Sequence, residues 1–92
     1  VGFGFGKTLE HNYQLLKDLS LFKNLDVPVL VGISRKSMLY KPLDISAKEA
    51  LNATTAANTI ALLNGANILR VHDVKEAVEA INIVNLLNQA KN

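Results

Sequence analysis

At 92 residues, 49% hydrophobic and 20% charged, the chain has the composition of about one small globular domain and not of a disordered segment. A formal charge of +2, no basic run beyond Arg35-Lys36 and few aromatics give neither the electrostatic footprint nor the stacking platform of a nucleic-acid binder. The absence of cysteine excludes disulfides and thiolate metal sites.

The chain opens on a glycine loop, Gly2-Phe3-Gly4-Phe5-Gly6-Lys7, of the kind that follows a strand. Thr8 is placed to cap a helix from about Leu9, whose stripe Leu9, Tyr13, Leu16, Leu19 and Phe22 recurs at helical spacing. Asn24 to Asp26 end that helix, and Pro28 precedes a strand over Val29–Ile33. Residues 34–45 read as a loop broken at Pro42. Ser46-Ala47-Lys48-Glu49 matches a capping box, and the alanine-rich helix behind it runs to about Asn64, with Gly65 as its left-handed terminator. A second strand covers Asn67–Val71. Asp73 then caps a final helix whose buried face is Val74, Ala77, Val78, Ile81, Val84 and Leu87.

Two short, almost wholly apolar strands separated by a long helix predict parallel pairing. Two such strands and three amphipathic helices cannot cover both faces and both edges of a sheet. The chain therefore reads as part of a larger α/β domain that continues on its N-terminal side. No charged-then-apolar leader is seen, and the longest apolar stretch, Ala47 to Leu69, contains Lys48, Glu49 and four asparagines. Neither secretion nor a membrane span is expected, and a cytoplasmic setting is.

Each strand stops at a loop rich in hydrogen-bond donors. Val29-Leu30-Val31-Gly32-Ile33 opens into Ser34-Arg35-Lys36-Ser37, and Ile68-Leu69 into Arg70-Val71-His72-Asp73. Such loops at the carboxyl ends of parallel strands are where anionic and polar ligands bind. Arg35 and Lys36, taken as two adjacent loop cations, would ordinarily be solvated. The strand-end position and the flanking serines single out Lys36, which can hold a carbonyl or ring nitrogen. Arg70 and His72 are two apart on an extended segment and leave it on one side, an arginine fork beside an imidazole that suits phosphate oxygens. The plainer alternative for His72 is a residue at a helix start bonded to backbone, and for the glycine loop a tight turn over packed phenylalanines. Phe5 could instead wall an aromatic pocket. Gly6-Lys7-Thr8 ends like a phosphate-binding P-loop, but Val1 stands where that motif needs glycine. His11 has Leu15 at i+4 and no metal partner.

At these residues the chain resembles dihydropteroate synthase. That family carries D-P-G-[FI]-G-F-G-K, then G-x-S-R-K-S, then R-V-H-D-V, matched here by Gly2 to Lys7, Gly32 to Ser37 and Arg70 to Val74. The resemblance implies C-terminal βα units of a TIM (β/α)8 barrel, an incomplete barrel supplying the end of the sixth unit and all of the seventh and eighth, with residues 1–92 forming one C-terminal piece of a pterin-binding domain. It implies condensation of 4-aminobenzoate with 6-hydroxymethyl-7,8-dihydropterin diphosphate, giving 7,8-dihydropteroate and pyrophosphate in folate biosynthesis, with sulfonamides as competitors. Lys36 looks like the family's lysine at the pterin ring and aminobenzoate entrance. Arg70 resembles the arginine that packs on the pterin and helps bind anion, and His72 the diphosphate ligand. Ser37 resembles the serine near the aminobenzoate carboxylate, and Phe5 a wall of that pocket. Catalysis would fall to Lys36, Arg70 and His72. The family uses magnesium, whose ligands are expected outside these residues, and forms homodimers through its C-terminal helices.

The family's pterin-binding Asp before Pro-Gly has no counterpart here, Val1 standing at the position of that Pro. The polypeptide alone is therefore expected to lack synthase activity. Two other readings are a pterin- or phosphate-binding α/β module without synthase chemistry, and an oligomerising structural fragment.

Overall fold

The structure is a computed structural model. It describes Phe3, residues 8–25 (23–25 by backbone course only) and residues 27–90. The element order is α1 (Leu9–Lys17), a 3-10 helix (Asp18–Leu25), β1 (Leu30–Val31), α2 (Ser37–Tyr40), a 3-10 turn (Ala47–Glu49), α3 (Leu51–Leu63), β2 (Ile68–Leu69) and α4 (Val74–Gln89).

β1 and β2 pair in parallel, with Leu30 opposite Ile68 and Val31 opposite Leu69, as the apolar runs predict. The hydrogen-bonded region extends past both ends. Val29 accepts from the N–H of Asn67 (2.8 Å) and of Ile68 (3.2 Å), and Val31 accepts from Arg70 (2.9 Å). The Asn67 side chain closes the lower end by accepting from the Val29 N–H at 2.8 Å.

Alternation along β1 divides the sheet's two faces. Val29, Val31 and Ile33 are buried with Leu16, Leu19, Met38, Leu39, Ala57 and Ala61 in the core. Leu30 is 41% exposed and its partner Ile68 48%, so the helices cover one face and leave these apolar side chains open on the other. Among the described residues this face is thus left partly exposed, in keeping with the element count.

Four departures from the sequence reading have local causes. The first helix changes from α to 3-10 after Lys17, where the Asn64 amide donates to the Leu16 carbonyl at 3.0 Å and so competes for an acceptor that α-helix continuation needs. Its stripe is correspondingly shorter: Leu16 and Leu19 are buried, whereas Leu9 and Tyr13 are exposed. The segment read as a loop holds α2, four residues long and too short to show a period; Tyr13 bonds its Met38 carbonyl through the phenolic hydroxyl at 2.6 Å. The box at Ser46 and Glu49 forms, with the Ser46 N–H donating to Glu49 Oε1 at 3.0 Å, but it caps a 3-10 turn and α3 starts only at Leu51. Finally, α4 buries Ala77, Ala80 and Val84, while Val74, Val78 and Leu87 are exposed. Small side chains on α4 let it lie close against α3, so they take the burial that the larger ones were expected to have.

Gly65 ends α3 at φ 107°, with the Ala66 N–H returning to the Ala61 carbonyl at 2.9 Å, as the left-handed terminator predicts. Thr8 caps α1 through its hydroxyl, which accepts from the His11 N–H at 3.1 Å.

Candidate functional site

Three motifs distant in sequence meet at the carboxyl ends of β1 and β2, and each meeting is a specific contact. Gly32 continues the register to Arg70, whose side chain lies across it. A β-carbon built on Gly32 would stand 2.8 Å from Arg70 Nη2 and 3.0 Å from Nε. Only a residue without a side chain admits the guanidinium there.

Two residues further on, the buried Ser34 hydroxyl accepts from the His72 N–H at 3.3 Å. The residues after these form the third link. Arg35 Nε donates to Asp73 Oδ2 at 3.1 Å and its Nη2 to Asp73 Oδ1 at 3.0 Å, a bidentate ion pair. Lys36 turns the other way, and its Nζ donates to the Phe3 carbonyl at 2.9 Å. The lysine thereby joins Phe3 to the loop after β1.

Arg35 is the residue whose importance the sequence reading misses. Its N–H donates to Thr54 Oγ1 at 3.0 Å, and Nη1 donates to the carbonyls of Ala47 and Lys48, both at 2.8 Å. Drawing on those two carbonyls explains why α3 starts late. Arg35 also sits at φ 54°, a left-handed conformation that a non-glycine residue takes only when its surroundings fix it. Asp73, read as a side-chain cap, holds the N-cap position through its backbone carbonyl alone, which accepts from Ala77 at 3.1 Å. Its carboxylate belongs to Arg35. The available signal was an acid one residue beyond the second motif, in a parallel register that sets residue 35 beside residue 73.

The electrostatics follow this geometry. The Arg35 hydrogen bonds and charge hold the Asp73 carboxyl below its usual range against a partial desolvation, with His72 adding a smaller push in the same direction. The Arg35 guanidinium is raised by the same pair. Hydrogen bonds from Ser46 lower Glu49.

Of the predicted site residues, Lys36, Ser37, Arg70 and His72 all lie on this edge. Lys36 and Ser37 are half-buried and Arg70 and His72 exposed. Phe5 lies outside the described residues. Among the described residues no group of three or more His, Cys, Asp or Glu could hold a metal ion. No helix among them is long and apolar enough to cross a membrane.

The family described as "Pterin binding enzyme" matches residues 1–72. Over 90 residues the chain is 50% identical to the dihydropteroate synthase of Escherichia coli strain K12, covering 98% of this chain and 32% of that protein. It superposes on the Yersinia pestis dihydropteroate synthase in a sulfonamide drug complex with a TM-score of 0.94 at 50% identity, covering 98% of this chain and 33% of that one. With the Xanthomonas albilineans dihydropteroate synthase in complex with 7,8-dihydropteroate the TM-score is 0.93 at 36% identity, over 99% of this chain and 36% of that one. The chain thus spans about a third of the length of the curated relatives it matches. Its fold is that of C-terminal βα units of a TIM barrel, with the sheet unclosed.

Proposed function

The chain belongs to the pterin binding enzyme family, and we propose that it forms the diphosphate- and lysine-bearing part of a dihydropteroate synthase site. The observation that carries this reading is the cross-linking of the two strand-end loops, Gly32 under Arg70 and Ser34 to the His72 backbone, which sets Arg70 and His72 on one edge.

In the reaction the C–O bond from the pterin methylene to diphosphate breaks and a C–N bond to the 4-aminobenzoate amine forms. The amine loses a proton and pyrophosphate leaves. Negative charge grows on the departing diphosphate, where Arg70 and His72 offer preorganised donors, and the electron-deficient methylene is left for the amine. No covalent protein nucleophile is required. Lys36, whose Nζ donates to the Phe3 carbonyl, would contact the pterin edge and the aminobenzoate entrance. Ser37 would meet the aminobenzoate carboxylate and Phe5 the ring, and sulfonamides would compete there. Magnesium would take its ligands from parts of the fold beyond these residues.

The 92 residues by themselves are proposed to be inactive, because they span about a third of the relatives' length and leave Leu30 and Ile68 exposed on one face of the sheet. The whole enzyme is proposed to be a cytoplasmic homodimer, for which the exposed Ile83, Leu86 and Leu87 of α4 supply apolar surface.

A chimera tests the reading directly: the first two-thirds of the Escherichia coli relative, followed by this chain. It should form dihydropteroate from both substrates, and its Arg70→Ala version should lose most of that rate. A folded chimera with no turnover overturns the proposal.

A further inference from the structure

We infer that Arg35 and Asp73 act as a positioning pair, which holds the Lys36 loop and the His72 loop in register without either residue touching the ligand. The inference rests on the reading of Arg70 and His72 as the diphosphate site and assigns the groups that keep that site in shape.

Every polar atom of the Arg35 side chain is directed at protein. Nε and Nη2 form the fork to Asp73, and Nη1 is shared by the Ala47 and Lys48 carbonyls. One side chain therefore ties together the loop after β1, the turn before α3 and the start of α4. The pair lies between neighbours that carry the proposed chemistry: Lys36 follows Arg35, and His72 precedes Asp73. The Ser34–His72 bond runs beside it, so the two loops are joined at consecutive positions. The left-handed backbone at Arg35 is what turns its side chain toward Asp73 while Lys36 reaches back to Phe3. A positioned site loses much of its affinity when its groups shift by about 1 Å.

Charge and position make opposite predictions for Asp73, which makes the inference testable. Removing the Asp73 carboxylate leaves the edge more positive, so electrostatics alone would tighten anion binding, whereas loss of positioning weakens it. Arg35→Gln, Arg35→Lys and Asp73→Asn are compared with the unaltered chain in two measurements. The first is amide hydrogen exchange at His72 and Arg35, whose N–H groups bond to Ser34 and Thr54. It needs no ligand, so its result stands whether or not the diphosphate reading holds. The second is the affinity for inorganic diphosphate.

All three variants should lose about tenfold in protection at both amides and bind diphosphate about tenfold more weakly. Lysine keeps the charge but not the fork, so it should not rescue. Unchanged protection at His72, tighter diphosphate binding by Asp73→Asn, or full retention by Arg35→Lys would each overturn the inference. Normal loss of protection in a chain that never binds diphosphate would leave the pair as a positioning device and count against the proposed function.

Discussion

The Arg70 guanidinium lies directly across Gly32, close enough that a β-carbon at that glycine would meet Nη2 at 2.8 Å. The contact involves the far end of a flexible side chain and not backbone. Gly32→Ala should therefore leave the fold nearly intact and move Arg70. We expect an unfolding midpoint within a few degrees of the unaltered chain, and diphosphate affinity reduced about tenfold. Equal affinity would show that Arg70 does not need to lie over the strand end to bind anion.

Asp73 and Glu49 both have folded pKa values below their ordinary ones, 3.8 and 4.5, for different reasons: the Arg35 fork in one case and bonds from Ser46 in the other. A carboxyl whose pKa falls on folding adds stability that is present above its unfolded value and is lost as pH falls through the folded one. Acid should thus weaken the chain progressively below about pH 4.5, and Asp73→Asn should show a shallower loss below 3.8. Denaturant midpoints measured across that range check this; parallel curves for the two proteins would contradict it.

The Asn67 side-chain oxygen accepts from the Val29 N–H at 2.8 Å, at the point where the two strands first meet. Removing the acceptor leaves a part-buried strand N–H unpaired, at a cost of about 1–3 kcal/mol. Asn67→Ala should lower stability by that amount in chemical denaturation, while Asn67→Asp, which keeps an acceptor, should recover most of it.

Incubated with both substrates and magnesium, the 92 residues should give no dihydropteroate above the uncatalysed background. The reason is that the chain spans about a third of its relatives' length, with Leu30 and Ile68 exposed on one face of the sheet. Turnover at an ordinary enzymatic rate, on the order of 1 per second or faster, would show that the rest of the relatives' length is not needed.

Much of this arrangement is legible in the residues because it depends on strong local signals. Gly65 could stop a helix cheaply, Thr8 and the Ser46–Glu49 box could cap, and two apolar runs flanking a helix had to pair in parallel. That Lys36, Arg70 and His72 all lie at the carboxyl ends of the two strands follows from that pairing. What escaped the sequence is tertiary. The Asn64 amide bonded to Leu16 ends α-helical geometry after Lys17 although the apolar period continues. Arg35 and Asp73 have ordinary local roles, a solvated cation and a helix cap, and only the parallel register makes them partners. The burial of α4 likewise depends on which neighbour it meets, and the close approach to α3 selects alanines over the larger Val74 and Val78.

The central claim, that the edge bearing Arg70 and His72 is a diphosphate site, is tested most directly by titrating the chain with inorganic diphosphate while following its backbone and imidazole resonances. Saturable shifts should be confined to residues 34–37 and 70–73, with the affinity of Arg70→Ala reduced about ten- to a hundredfold, the worth of charge-assisted hydrogen bonds. Binding that maps elsewhere, or that Arg70→Ala leaves unchanged, would contradict the account.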